Sequence, residues 1–195
     1  MSKVLYVMAT PKNHEESYTL TLSNKFVEEY KKLNPEDIIV NLDLYKEKVP
    51  HLSKEAVEDY GRYEGVIMEK AKEFSSYDKY IFAFPMWNLS VPSILKAYID
   101  HIIASGITFE YRDGIPVGLL SGKKALIVVT RGGYYSVPPS DEYAFDTTFM
   151  KAILKFMGIE DYAELLAEGA GRDNQSPKEL LEENIEKLYN LLKDF

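Results

Sequence analysis

The chain has no cysteine. That absence removes disulfides, thiolate zinc sites, iron–sulfur clusters and every cysteine nucleophile from consideration. Positive charge is also short: Lys+Arg number 23 against Asp+Glu 31, a formal charge of -8. This balance speaks against a nucleic acid or an anionic membrane as partner, so an anionic ligand must be held by local donors. Met1-Ser2-Lys3 leads straight into an apolar run, with neither the hydrophobic segment nor the cleavage site of a secretory leader, and the expectation is a cytoplasmic protein. Internal repeats, low-complexity tracts and linkers are lacking too, which predicts one domain over residues 1–195. With 46% hydrophobic and 28% charged residues, a chain this long buries roughly 70% of its unfolded surface without a covalent staple.

What is present alternates between two patterns. Val4 to Met8 is a continuous apolar run ending in the turn-rich Ala9-Thr10-Pro11-Lys12-Asn13, a buried strand feeding a loop. Residues 17 to 33 read as a helix with Leu20, Phe26, Val27 and Tyr30 on its apolar face, Ser17 as cap and Asn34-Pro35 as stop. Ile38 to Leu42 is a second strand, followed by a charged loop through Pro50. Residues 53 to 75 carry Val57, Tyr60, Val66, Ile67, Met68, Ala71 and Phe74 in a helical region broken near Gly61 or Gly65. A third strand, Tyr80 to Phe84, gives way to a helix from Pro92 to about Ala104. Gly106 to Gly118 alternates Ile107, Phe109 and Tyr111 around Asp113-Gly114, predicting a hairpin. A fourth strand (Ala125 to Thr130), a helix (about Ala144 to Met157), a fifth strand (near Tyr162 to Ala167) and a charged helix (Ser176 to Leu192) complete the chain.

Strands apolar on both sides and separated by helices call for a parallel sheet covered on both faces. The expected fold is a flavodoxin-like α/β three-layer sandwich with five parallel strands in the order 2-1-3-4-5. Ligands of such sheets bind beyond the carboxyl ends of the strands, so the loops after the first, third and fourth strands hold the candidate site.

The first of those loops gathers Thr10, Ser17 and Thr19, with Lys12 nearby, at the amino end of a helix. Hydroxyls, free N–H groups and a positive dipole end suit a phosphate, although Ser17 as a plain helix cap and Thr10 as a turn residue account for the same letters. Other phosphate loops are absent: no Gly-x-Gly-x-x-Gly follows the first strand, and Gly122-Lys123-Lys124 lacks the rest of a P-loop. The loop after the third strand, Met86-Trp87-Asn88-Leu89, offers apolar cover and an amide for a planar heterocycle, or else a packed Trp and a turn Asn. The loop after the fourth has Gly132 and Gly133, which permit close backbone approach, then Tyr134 and Tyr135. A ligand with a phosphate at one end and a flat, hydrogen-bonding ring at the other satisfies all of them, and flavin mononucleotide (FMN) has that shape.

Over nearly its whole length the chain resembles the FMN-dependent NADH azoreductases and related NAD(P)H quinone reductases. The similarity is clearest in Leu95-Lys96-Ala97-Tyr98-Ile99-Asp100, in Gly106-Ile107-Thr108-Phe109-Glu110-Tyr111 and in Gly118 to Lys124 running on to Thr130-Arg131-Gly132-Gly133. Pro85-Met86-Trp87-Asn88-Leu89 is similar to the family's Pro-Met-Tyr-Asn-Phe segment, and Ser17-Tyr18-Thr19 to its Ser-x-Ser phosphate signature. The resemblance implies non-covalent FMN, with Ser17, Thr19 and Thr10 at the phosphate and Pro85, Met86, Trp87, Asn88 and Leu89 around the ring. Thr130, Arg131, Gly132 and Gly133 would meet the pyrimidine edge, largely through backbone groups, and Asn88 would lie near the reactive N5. Trp87 and Leu89 stand where the family has Tyr and Phe, and Tyr135 where many members have His, differences that bear on substrate preference.

The resemblance further implies electron transfer from NADH or NADPH to quinones or azo compounds by a ping-pong mechanism, and a homodimer with the flavin near its interface. No side-chain nucleophile is required. Tyr111 and Tyr135 are the candidate substrate contacts. His14, His51 and His101 are scattered and lack metal-ligand spacing. The rival readings are a non-enzymatic electron carrier of the same fold and a phosphate-ester hydrolase acting through the hydroxyl-rich first loop.

Overall fold

Val4, Leu5, Tyr6 and Val7 are each at most 2% exposed, as a strand covered from both sides must be. In the computed structural model, which describes residues 1–47, 49–61 and 64–195, they lie in β1 (Lys3–Met8). The chain continues through α1 (Tyr18–Leu33), β2 (Ile38–Asp43), α2 (Leu44–Glu47), α3 (Lys54–Gly61), α4 (Gly65–Ser75), β3 (Lys79–Pro85) and α5 (Ser93–Ile102). The small hairpin β4 (Phe109–Arg112) and β5 (Ile115–Gly118) precedes β6 (Lys124–Thr130), α6 (Phe145–Phe156), β7 (Asp161–Ala167) and α7 (Pro177–Asp194).

Five parallel strands form one sheet in the order β2-β1-β3-β6-β7. With the hairpin strands set aside, this is the predicted 2-1-3-4-5 order. Alternate residues of each strand serve opposite faces. Leu5, Val7, Phe82, Phe84, Ile127 and Val129 pack with Leu95, Ile99, Met150 and Leu154 of α5 and α6. Val4, Tyr6, Ile81, Leu126 and Val128 pack with Leu22, Phe26 and Tyr30 of α1 and Leu188 and Leu192 of α7. Truncating a ring as enclosed as that of Phe26 costs about 3–5 kcal/mol, so these faces hold the sheet between its helices.

Local signals set the boundaries. Ser17 accepts the Leu20 N–H at 3.2 Å and starts α1. Ser176 and Glu179 cap α7 reciprocally, with Pro177 as its first residue. The region predicted as a broken helix is indeed two helices, α3 and α4; residues 62 and 63 between them, and the side chain of Tyr60, lie outside what is described. The predicted loop after the second strand contains α2, a single turn too short to carry an apolar period. Pro92 caps α5 from outside rather than occupying its first turn. The hairpin is fixed by close backbone contact: a Cβ on Gly118 would stand 2.1 Å from the Gly158 nitrogen, in the turn entering β7.

Candidate active site

The carboxyl ends of neighbouring strands are tied together. The Ala9 N–H donates to the Ala83 carbonyl at 2.9 Å, and the Met86 N–H to the Thr130 carbonyl at 2.9 Å. Strand order reverses between β1 and β3, the place where sheets of this kind open a crevice.

After β1, residues 11–16 are exposed while Thr10, Ser17 and Thr19 are buried. The Ser17 oxygen caps α1, so the cap reading holds, yet its O–H proton remains available to a ligand. Thr10 accepts the Lys12 N–H at 3.4 Å, as a turn residue does. Thr19 turns inward, its hydroxyl 2.6 Å from that of Thr130. Two expected ligand contacts are thereby joined to each other. The N–H groups of Tyr18 and Thr19 find no acceptor among the described residues, leaving donors at the positive end of α1.

After β3, Trp87 and Ser90 exchange both backbone hydrogen bonds at 3.0 and 3.1 Å around a two-residue turn. Its central residues have φ of 48° (Asn88) and 70° (Leu89), as a type I′ turn requires. Asn tolerates that conformation, whereas a left-handed Leu costs about 1–2 kcal/mol. The Leu89 side chain stays 36% exposed, and backbone strain of this kind collects at functional sites. Trp87, Asn88, Val91, Pro92, Lys96 and Phe149 line an open cleft of about 490 Å³ beside it.

After β6, Gly132 and Gly133 differ in what surrounds them. A Cβ on Gly133 would lie 2.9 Å from the Tyr135 ring, so this glycine makes room for the protein itself. A Cβ on Gly132 would meet nothing nearer than the Ala170 carbonyl at 3.9 Å, and the residue is exposed. Nothing in the chain demands a glycine there, and its N–H has no acceptor among the described residues. It is a bare cradle of the kind a flat ligand edge occupies.

Arg131, expected at the pyrimidine edge with Thr130, Gly132 and Gly133, has its side chain turned into the protein. Its side chain is 1% exposed and closed on by protein: Nε and Nη2 donate to the two Asp146 oxygens at 2.9 and 2.7 Å, Nη2 to Thr147 at 3.1 Å and Nη1 to Glu168 at 2.9 Å. Its backbone N–H and carbonyl are engaged by Ala167 and Ala170. Arg131 therefore braces the loop and does not face the crevice. Burial works against the charged forms, but the pairing outweighs it, holding Arg131 above and Glu168 below their ordinary values. Asp146 and Glu168 carry no sequence signal linking them to Arg131, and sequence reasoning missed both.

Tyr135 lies in the crevice loop, its N–H donating to Glu168 at 2.7 Å. Tyr111 stands apart, 63% exposed on a hairpin whose base packs against the turn entering β7, at the opposite end of the sheet. His14 contacts Asn24 at the surface, His51 is exposed and His101 is buried with Nδ1 on the Ala97 carbonyl at 2.7 Å. Among the described residues no cluster suits a metal ion, and no helix is long and apolar enough to cross a membrane.

Known proteins share this arrangement. The model of the flavodoxin-like fold family matches residues 2–192. An FMN-dependent NADH:quinone oxidoreductase of Coprothermobacter proteolyticus is 41% identical, and one of Clostridium perfringens 47%, each alignment covering 100% of both chains. Among solved structures, an azoreductase from Bacillus anthracis str. Sterne superposes with a TM-score of 0.90 at 29% identity, over 100% of both chains. An FMN-dependent NADH-azoreductase from Bacillus anthracis str. Ames Ancestor, in complex with FMN, gives 0.87 at 28%, covering 100% of this chain and 99% of that one. Sheet order, crevice and full-length similarity agree: the chain belongs to the flavodoxin-like family of FMN-dependent NADH:quinone oxidoreductases and azoreductases.

Proposed function

We propose that the chain is an FMN-dependent oxidoreductase, one flavin-binding domain over residues 1–195, that takes electrons from NADH or NADPH and passes them to quinones or azo compounds. The observation that carries this reading is the uncommitted donor set at one end of the sheet: the Tyr18 and Thr19 N–H groups at α1, and the bare Gly132 after β6. The relatives named for NADH, quinone and FMN match over the full chain.

Ser17, through its O–H, and the first-turn N–H groups of α1 would hold the phosphate. Met86, Trp87, Asn88 and Leu89 would cover the ring, and Gly132 would approach its pyrimidine edge with a backbone donor. Bound FMN supplies the hydride chemistry; the chain supplies position, exclusion of water and oriented dipoles. One open cleft serving donor and acceptor in turn implies ping-pong kinetics.

Tyr111 cannot be assigned to its own crevice. Tyr111 and Ile115 leave the hairpin 63% and 65% exposed, apolar surface that a second copy would cover, so Tyr111 is assigned to substrate across a homodimer. The cytoplasm is the compartment assigned. The test is the visible spectrum of purified protein incubated with FMN and freed of excess, before and after anaerobic NADH or NADPH, then with menadione. A yellow protein bleached by nicotinamide and recoloured by the quinone supports the reading. A yellow protein inert to both nicotinamides is an electron carrier, and a protein that takes up no flavin rejects the proposal.

A further inference from the structure

Glu168 is the first residue after β7, and β7 is in register with β6 up to the Thr130–Ala167 pair. The sheet itself therefore delivers this carboxylate to the base of the double-glycine loop. There Oε1 accepts from Arg131 Nη1 at 2.9 Å and from the Tyr135 N–H at 2.7 Å. The two main contacts bracket Gly132 and Gly133 from either side. Backbone bonds from Ala170 N–H to the Arg131 carbonyl (2.9 Å) and from Gly169 N–H to the Gly133 carbonyl (3.4 Å) close the same bracket. Arg131 is in turn locked by Asp146, which is fully buried. Together they engage the Arg131 N–H and carbonyl, the Gly133 carbonyl and the Tyr135 N–H, and leave the Gly132 and Gly133 N–H groups without an acceptor among the described residues.

We infer that Glu168 is a positioning residue: by clamping Arg131 and Tyr135 it fixes the Gly132–Gly133 backbone donors in advance, and so tunes how strongly the site prefers reduced over oxidised FMN. The inference rests on the flavin reading above. Its physical basis is that fixed dipoles stabilise developing charge without reorganising, so loosening them harms the more anionic reduced form most. A role through the carboxylate's own charge has the opposite sign, because a negative group beside the ring disfavours added electrons.

Glu168→Asp separates the two, since it keeps the charge but is too short to hold both partners. Glu168→Gln keeps the size and removes the charge. The measurements are FMN affinity by fluorescence quenching, the two-electron midpoint potential by dye equilibration, and hydrogen exchange of the Tyr135 amide in flavin-free protein, with Glu164→Asp on the same strand as control. For Glu168→Asp we expect faster Tyr135 exchange, about tenfold weaker binding of oxidised FMN, and a further loss of about tenfold for the reduced form, a potential lower by about 30 mV. Unchanged affinity, or equal weakening of both redox forms with an unmoved potential, overturns the inference. If Glu168→Asp does not fold, Glu168→Ala decides, because it removes the clamp together with the charge, whereas the Gln carbonyl can still accept from Arg131 and Tyr135: a lowered potential supports positioning, and an unmoved or raised one rejects it. Wild-type protein that binds no flavin sinks the underlying reading, and this inference with it, whatever the variants do.

Discussion

The hydroxyls of Thr19 and Thr130 meet at 2.6 Å in a buried contact that ties the first turn of α1 to the end of β6, across the intervening β3. Each residue stands in a loop expected to touch ligand, and each spends its side chain on the other. The pair sets the distance between the donors of α1 and those of the double-glycine loop.

That pairing predicts an asymmetric pattern of stability. Thr130→Val leaves the Thr19 hydroxyl buried without its partner and should cost about 1–3 kcal/mol, while the double variant Thr19→Val with Thr130→Val should recover most of the loss. Urea unfolding of the four proteins in the cycle measures the coupling. Additive losses would show that the two hydroxyls do not depend on each other.

The sequence was most readable where burial is two-sided. Val4 to Val7 and Ala125 to Thr130 are covered on both faces, so their apolar runs are continuous and their strand identity follows without a partner. Topology then pointed to the loops after β1, β3 and β6. It could not name the side chains that face the crevice. Arg131 follows a strand end and looks like a ligand contact, but its partners lie 15 and 37 residues away, beyond any periodic pattern. Leu89 gives no warning of a positive φ, whereas Asn88 does; the two-residue turn imposes it on both.

The strain at Leu89 should be separable from its role in binding. Leu89→Gly yields the Asn-Gly pair that type I′ turns favour, relieving a left-handed leucine. The relieved strain, about 1–2 kcal/mol, should offset the packing lost with a side chain that is 36% exposed, so flavin-free protein should be no less stable than wild type. FMN affinity should fall several-fold as the cover over the ring is lost. A variant that is less stable than wild type would show that Leu89 is held there by packing.

Acid sensitivity should be traceable to a residue far from the crevice. Asp37 accepts the Ser2 N–H at 2.6 Å and the Tyr30 hydroxyl at 2.5 Å, near Lys79. Burial raises its pKa, but those hydrogen bonds and charges outweigh burial and hold it below the ordinary 3.8. A depressed carboxylate contributes stability that is complete above its unfolded value and lost as pH falls through the folded one. The stability gap between wild type and Asp37→Asn should therefore be full at neutral pH and narrow below about 3.8. Urea midpoints across that range test it, and a gap that stays constant or widens on acidification defeats the assignment.

The two adjacent glycines should respond differently to the same methyl group. At Gly132 the added Cβ enters open space, with the Ala170 carbonyl 3.9 Å away, so Gly132→Ala should leave flavin-free protein as stable as wild type or better by about 0.4–1 kcal/mol, through the unfolded chain's lost freedom. At Gly133 the Cβ meets Tyr135 Cε2 at 2.9 Å, and the ring must turn away from a backbone that Glu168 holds in place. Gly133→Ala should cost about 1–3 kcal/mol as overpacking. Flavin binding should reverse the order of harm: the methyl on Gly132 occupies the cradle itself, and Gly132→Ala should lose FMN more severely than Gly133→Ala despite being the more stable protein. Thermal unfolding without flavin, set beside FMN titration, decides the matter. A Gly132→Ala protein that binds FMN as wild type does would mean that the bare face of this loop is not where the ligand lies.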